Sequence, residues 1–371
     1  MTDSDQIQLS VVATSRNDNH GKNLLYRMQQ FVDGFIEQCK RHDLKAELIL
    51  VEWNPPDNTP PLSQALHFPN DKGPCTVRII RVPHNIHSKL ENADKIPLFQ
   101  MIGKNVGIRR AAGKFILATN IDIIFSDKLI KYLKNRLKTG HLYRTDRLDI
   151  PEILPENASF DEILHFCSTN VFRINTKNGT FFVSEYSFIK NLFGKLLHHA
   201  KKNVKRVYNF IINSSIKDLV MRHPLFLIKT LRLVKLKLFQ KNAFFPHTNA
   251  CGDFTLLSSQ DWATLKGYPE WNIFSWHLDS VFIFQARQHG IIEIDLPIKL
   301  PIYHIEHEAG SGFSPESAHL LFNRLHQKGI PYIDNSSLHD IILQMKNSQE
   351  KVIYNSQDWG MAELSLEETT V

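Results

Sequence analysis

The stretch KNVGIRRAAGKFILATNIDIIFS, residues 104–126, decides how the chain is read. It closes a longer helical segment, IPLFQMIGKNVGIRRAA (96–112), with Gly113 as the expected C-cap. A short apolar strand follows, KFILATN (114–120), and it stops in the polar exit Asn120-Ile121-Asp122. Upstream, LSVVAT (9–14), AELILVEW (46–53) and TVRIIRV (76–82) read as further strands. The first runs into the polar SRNDNHG and the second is stopped by NPPDNTPP. Residues 22–42 carry Leu24, Met28, Phe31, Val32, Phe35 and Ile36 at helical spacing. Strands alternating with helices imply a mainly parallel sheet with helices on both faces. Ligands bind beyond the carboxyl ends of such strands. Asp18 and the Asn120/Asp122 pair both fall at strand exits, so they are expected to converge on one crevice.

The chain has 371 residues, 42% of them apolar, with 24 Phe and 5 Trp. That is enough for a large core and excludes global disorder. The N-terminus MTDSDQIQLS is polar and reads as no secretory leader, and no run approaches the roughly 18 apolar residues of a membrane span. Cys39, Cys75, Cys167 and Cys251 are far apart and form no CxxC pair, which points to reduced thiols and a cytoplasmic protein.

Charge is unevenly spread. Residues 190–241 contain 13 Lys/Arg and one acid, Asp218, a local charge of +12. The remainder holds 31 Lys/Arg against 37 Asp/Glu, a net of −6. Apolar stripes run through the basic block, including Ile189, Leu192, Phe193 and Leu196, and a second piece follows Pro224. Two basic amphipathic helices of this kind match an element lying on an anionic membrane surface better than a protein partner or a polyanion. Nucleic-acid binding is not expected, because neither stacking aromatics nor a fold signature accompanies the charge.

Residues 141–185 read as mixed and loop-rich, including the charged run YRTDRLDIPE. After the basic block, residues 244–290 read as a strand pair and two helices, and IIEIDLP and IYHIEHEAGSG as strands. The tail YNSQDWGMAELSLEETTV is acidic and expected to be loose at its tip.

Asn120 and Asp122 lie on one side of an extended segment. An amide oxygen and a carboxylate there suit a hard divalent cation, the alternative being a turn whose Asn and Asp satisfy local backbone. The segment around them resembles the one leading into the DxD motif of GT-A glycosyltransferases, especially the family 2-like group. Asn105, Gly107, Ala111 and Gly113 occupy its N-x-G-x-x-x-A-x-G positions. ACGDFTLLSSQDWATLKGYPEW resembles the acceptor-side segment of the same enzymes, and HLDS (277–280) the stretch with their catalytic acid. The resemblance covers roughly residues 8–125 and 247–310, leaves out the basic block, and departs at Asn120, where the family usually has Asp.

The resemblance implies a GT-A fold, α/β and Rossmann-like with a mainly parallel central sheet, here carrying a basic helical insertion. It implies inverting transfer of a sugar from a nucleotide-sugar, UDP-linked, to a glycan or glycolipid hydroxyl, with Mn²⁺ or Mg²⁺. The donor would meet Arg16, Asp18, Asn105, Arg109, Asn120 and Asp122, Asp18 being alternatively a helix N-cap. The metal would be held by Asp122, Asn120 and His304, with His307 the competing histidine. Asp279 would be the general base, with Asp253 and Trp276 on the acceptor side. Trp359 either packs on the body or closes over the nucleotide. The expected division is 1–140 donor half, 141–186 connection, 187–241 basic insertion, 242–312 acceptor half and 313–371 C-terminal helices and tail. A sugar nucleotidyltransferase and a non-catalytic membrane-associated relative are the rival readings.

Overall fold

Successive residues of a strand face opposite ways, and in the first strand this sends side chains into two separate cores. The computed structural model describes residues 6–184, 186–187, 246–307 and 318–371. β1 (Leu9–Ser15) is buried throughout. Its Leu9, Val11 and Ala13 pack with helix α1 (Leu24–His42), while Val12 packs on the opposite face. β2 (Ala46–Trp53) repeats the division, Leu48 and Leu50 against Ile49, Val51 and Trp53. A strand hidden on both faces belongs in the middle of a parallel sheet. β3 (Cys75–Val82) and β4 (Phe115–Thr119) complete the parallel order β3-β2-β1-β4.

Between β3 and β4, α2 (Gln100–Arg110) lies directly on β1. A Cβ at Gly107 would sit 2.5 Å from Val12 Cγ1, so only glycine permits this approach. Gly113 also serves close packing rather than capping. Its Cβ would fall 2.5 Å from Ser10 Oγ, and the helix is capped two residues earlier, at Ala111.

β5 (Ile123–Phe125) leaves β4 for a second sheet, and α3 (Asp127–Arg136) packs beside α1. β6 (His141–Arg144) returns to the large sheet, while β7 (Arg147–Ile150), β8 (Arg173–Thr176) and β9 (Gly179–Phe182) build the small one, with α4 (Phe160–Thr169) between β7 and β8. The charged run YRTDRLDIPE is therefore not loop but the two strands β6 and β7. After the undescribed stretch come β10 (Phe254–Ser258), α5 (Ser259–Leu265), α6 (Leu278–Gln288), β11 (Ile292–Asp295) and β12 (Ile302–Ile305). Among the described residues β10 is one strand where a pair was expected, preceded by a 3₁₀ turn at Cys251–Asp253.

α7 (Ala318–Gln327), α8 (Asn335–Asn347) and β13 (Glu367–Thr370) follow. The tip of the tail is not loose: β13 pairs antiparallel with β3 and closes that edge, and Glu368 accepts from Arg78 at 2.7 Å. The large sheet thus runs β11-β6-β10-β4-β1-β2-β3-β13 and the small one β5-β12-β7-β8-β9. The observed class is the expected α/β, mainly parallel fold. Among the described residues no helix is long and apolar enough to cross a membrane. The expected basic insertion, 187–241, lies outside the described residues apart from Ser187.

Candidate active site

The small sheet has one apolar and one polar face. Leu148, Ile150, Ile174, Tyr303 and Ile305 pack with Cys167 of α4. Residues of the opposite parity (Arg147, Asp149, Arg173, Asn175 and His304) meet on the other face. The pairing register dictates this, since His304 stands opposite Asp149 and Asp149 opposite Arg173. Arg147 Nε lies 2.9 Å from Asp149 Oδ1, Arg173 Nε donates to Asp149 Oδ2, and Asn175 donates to the same oxygen at 2.9 Å. Although burial alone would raise its pKa, Arg147, His304 and Arg173 hold Asp149 ionised far into acid. Apart from His304, these groups were not anticipated from the sequence. The signal was there in Arg147-Leu148-Asp149-Ile150, a period-two alternation inside a run read as loop.

Asp149 in turn orients a histidine. His304 Nδ1 lies 3.2 Å from Asp149 Oδ1, which leaves Nε2 facing Asp122 Oδ2 at 3.8 Å. His307 Nε2 approaches the same Asp122 oxygen at 3.7 Å. Ligand atoms of Asp122, His304 and His307 fall within 4.8 Å of one another. A carboxylate-backed imidazole is how metal sites fix the tautomer of a ligating histidine. Asp122 is buried and its Oδ1 has no partner, an acceptor that a cation would satisfy. The chemistry of the set, two imidazoles and one carboxylate, fits Mn²⁺ or a neighbouring divalent ion. His304 and His307 therefore both belong to the cluster, where only one was expected.

The Asp122 oxygen that faces both histidines, Oδ2, also carries an arginine. Arg27, buried on α1, donates to Oδ2 at 2.8 Å and its second nitrogen donates to the carbonyls of His20 and Lys22. One guanidinium thus ties the loop after β1 to the exit of β4, so the expected convergence of the two loops is real. Burial pushes Asp122 up, but His304, His307 and Arg27 together keep it below the ordinary carboxylate range.

Asn120 does not join Asp122. Its Oδ1 accepts from Gln100 Nε2 at 2.9 Å and from the Lys104 ammonium at 2.8 Å, and its Nδ2 donates to Asp253. An oxygen facing an ammonium is turned away from any metal, which corrects the expectation of Asn120 as ligand. Gln100 and Lys104 stand one turn apart on α2 and reach Asn120 together. Lys104 is fully buried and also donates to the Gly252 carbonyl at 2.7 Å. Burial lowers its pKa to about 8, against the pull of Asp253 and Asp279.

Asp279 opens α6 beside this lysine. A side chain at Gly252 would meet Asp279 Oδ2 at 3.1 Å and Lys104 Nζ at 4.0 Å, so the glycine of ACGD keeps that gap clear. Asp279 Oδ1 accepts from the Ser280 N–H at 2.8 Å, and the carboxylate stays partly exposed. Asp253 is different: Arg147 donates to its Oδ2 at 2.7 Å and Asn120 to its Oδ1, so both oxygens serve the framework instead of an acceptor. Trp276 stands edge-on to Phe322, 5.3 Å between centroids, and adjoins His277, whose backbone takes a φ of 67° just before α6.

On the donor side Arg16 Nε lies 3.3 Å from Asp18 Oδ2, and Arg16 also donates to the Pro97 carbonyl at 3.0 Å. Asp18 is no helix cap. It accepts from the His20 N–H at 3.0 Å in a local turn, while Asn19 Oδ1 takes the first helical N–H, that of Leu24. Asn105 and Arg109 leave the crevice. Asn105 is fully buried, donating to the Tyr268 carbonyl and to Glu270 and accepting from the Tyr268 N–H at 2.8 Å, so it staples α2 to the Gly-Tyr-Pro-Glu turn. Arg109 lies over the Trp359 ring, 5.0 Å from its centroid. Trp359 is itself buried in the core, which makes it packing and not a lid.

The sequence matches no family model and no curated protein. Among solved structures the chain is similar to S. aureus TarS (11% identity, 92% of this chain and 43% of that one, TM-score 0.35). It is similar to a shorter S. aureus TarS chain in complex with UDP-GlcNAc (10%, 92% and 72%, TM-score 0.40). It is also similar to GalNAc-T7 with UDP, GalNAc and Mn²⁺ (12%, 98% and 57%, TM-score 0.40). The chain therefore spans about two fifths of the first TarS chain and just over half of the GalNAc-T7 chain. At that level the likeness assigns no residue.

Proposed function

We propose that the crevice transfers a glycosyl group from a nucleotide-sugar, UDP-linked, to a hydroxyl of a glycan or glycolipid, with inversion. The observation that carries this reading is the Asp122 carboxylate at the exit of β4, one oxygen facing His304 and His307 at 3.8 and 3.7 Å and the other buried without a partner. These three would hold a divalent cation, which supplies positive charge to a departing nucleoside diphosphate. Arg27 fixes the Asp122 carboxylate from behind, and Asp149 keeps the His304 Nε2 lone pair directed at the cluster. Asp279 accepts the acceptor's proton as its oxygen forms the new bond to the anomeric carbon and the bond to the diphosphate breaks. Lys104 ties the donor-side Asn120 side chain to the acceptor-side Gly252 carbonyl.

The 187–241 segment, by this reading, holds the enzyme on the cytoplasmic leaflet before a lipid-linked acceptor. Its support is the +12 charge with interleaved Leu, Ile and Phe. Sedimentation with anionic vesicles should fall as salt screens the charge, without vanishing, because apolar insertion is not screened. No sedimentation at low salt would remove the membrane role.

A panel of nucleotide-sugars tested by thermal shift, with and without Mn²⁺, checks the central reading, since a ligand of the native state raises its melting temperature. A UDP-sugar should give a Mn²⁺-dependent rise and slow Mn²⁺-dependent release of UDP. Failure of every nucleotide-sugar to shift the protein would overturn it.

A further inference from the structure

A second cluster lies where the chain passes from the large sheet to the small one. Asp146 sits between β6 and β7, Asp295 ends β11, and His247 lies seven residues ahead of β10. Because β11 pairs with β6 in parallel, Asp295 stands opposite Arg144, two residues before Asp146. Ligand atoms of Asp146, His247 and Asp295 lie within 4.8 Å of one another.

Three features set this apart from an ordinary buried histidine–aspartate pair. His247 is fully buried; its Nδ1 lies 2.8 Å from Asp295 Oδ1, yet its Nε2 has no partner. Asp146 is buried too, just ahead of β7. Glu293, on the same face of β11 as Asp295, accepts the His247 N–H at 2.6 Å through one oxygen while its other oxygen is buried and unpartnered. Three carboxylates are thus drawn together around one imidazole. Two cations stand near: the Arg144 guanidinium donates to the carbonyls of His247, Asn249 and Cys251, and Lys177 Nζ lies 3.7 Å from the Glu293 oxygen that also takes the His247 N–H. Buried carboxylates in company need a cation or a proton between them.

We propose that Asp146, His247 and Asp295 bind a divalent transition-metal ion, with Zn²⁺ the best match to one imidazole and two carboxylates. Asp295 is partly exposed and gives the ion its way in, with the remaining coordination position open to water. The ion would pin three segments distant in sequence: the crossing between the sheets, the end of β11 and the stretch around His247 that leads into β10. Its role is structural, since the cluster is built from residues the transfer chemistry does not use.

The test uses the full chain stripped with chelator, then loaded with Zn²⁺ and counted by mass spectrometry after gel filtration. To separate this site from the one at Asp122, the count is made in the Asp122→Asn protein. One equivalent should remain there, and adding His247→Gln should remove it. Asp295→Asn, a partly exposed change that leaves the strand intact, should weaken binding at least tenfold and abolish the rise in melting temperature that Zn²⁺ gives the Asp122→Asn protein. The proposal is overturned if the Asp122→Asn protein holds no metal, or if His247→Gln and Asp295→Asn leave its count and affinity unchanged.

Discussion

The Lys104 ammonium donates to Asn120 Oδ1 at 2.8 Å, on the residue where the acidic form of the strand-exit motif carries a second carboxylate. The substitution and the lysine belong together. Asn120 accepts from two donors on α2 and donates to Asp253, so its amide is matched on both sides. A carboxylate in its place would keep the lysine but confront Asp253 across a hydrogen-bond distance.

Asn120→Asp is therefore expected to lose stability, by about 1–3 kcal/mol for a buried acceptor left without its donor. It should gain no Mn²⁺ affinity, because the new oxygen still faces Lys104. Denaturant midpoints and a Mn²⁺ titration check both halves. A tenfold tighter Mn²⁺ site in the variant would show that position 120 can turn to the metal after all.

Lys104 also predicts a pH dependence. Its pKa is lowered to about 8, whereas an unfolded lysine holds its proton to about 10.4. Between these values the unfolded chain binds more protons than the folded one, so this group makes stability rise with pH. Below about pH 8 the buried charge costs its full amount, roughly 3 kcal/mol by the linkage relation. Urea unfolding from pH 7 to 10 should show that rise in the wild type and lose it in Lys104→Met. Parallel curves for the two proteins would place the titration elsewhere.

The large sheet could be read from the sequence because its strands are apolar runs bounded by polar exits, and β2 begins and ends where AELILVEW does. The small sheet could not, since its strands show charge where a core strand shows Val or Ile. Asp149 and Arg173 are buried, and Arg147 largely covered, only because each meets the others across a register that no local pattern reveals. The same holds for Arg27 and Lys104, charged residues on helices whose partners lie in distant loops. Asp122 and His304, which the fold brings together, could be picked out because each is a polar residue at or near the end of an apolar strand, and Asp279 because it opens α6. Asn105 misled for the converse reason. Its position in the helix fits a ligand contact, but its amide matches the 268–270 backbone and Glu270.

Asp122→Ala should abolish any Mn²⁺-dependent gain in UDP affinity, as the carboxylate is the only acid of the three-residue cluster. It should also cost stability, which the sequence alone does not suggest. Arg27 would remain buried without its carboxylate, and breaking a buried pair from one side costs about 3–5 kcal/mol. Adding Arg27→Met should recover much of that loss while leaving metal binding absent. Calorimetry of UDP with and without Mn²⁺, beside melting curves, separates the two effects. Unchanged Mn²⁺-dependent UDP binding in Asp122→Ala would end the metal role of this residue.

Asp279→Asn isolates the proton transfer. Asparagine keeps an oxygen for the Ser280 N–H, so the start of α6 should hold and the melting temperature should barely change. What is lost is a carboxylate able to take the acceptor's proton. General base catalysis contributes about 10²–10⁴ in rate, and turnover should fall by that factor while UDP affinity stays within twofold. Asp253 cannot substitute, since Arg147 and Asn120 occupy its two oxygens. Full turnover in Asp279→Asn with a competent acceptor would mean that the proton leaves without help from this side chain, and the crevice would then act through orientation and charge alone.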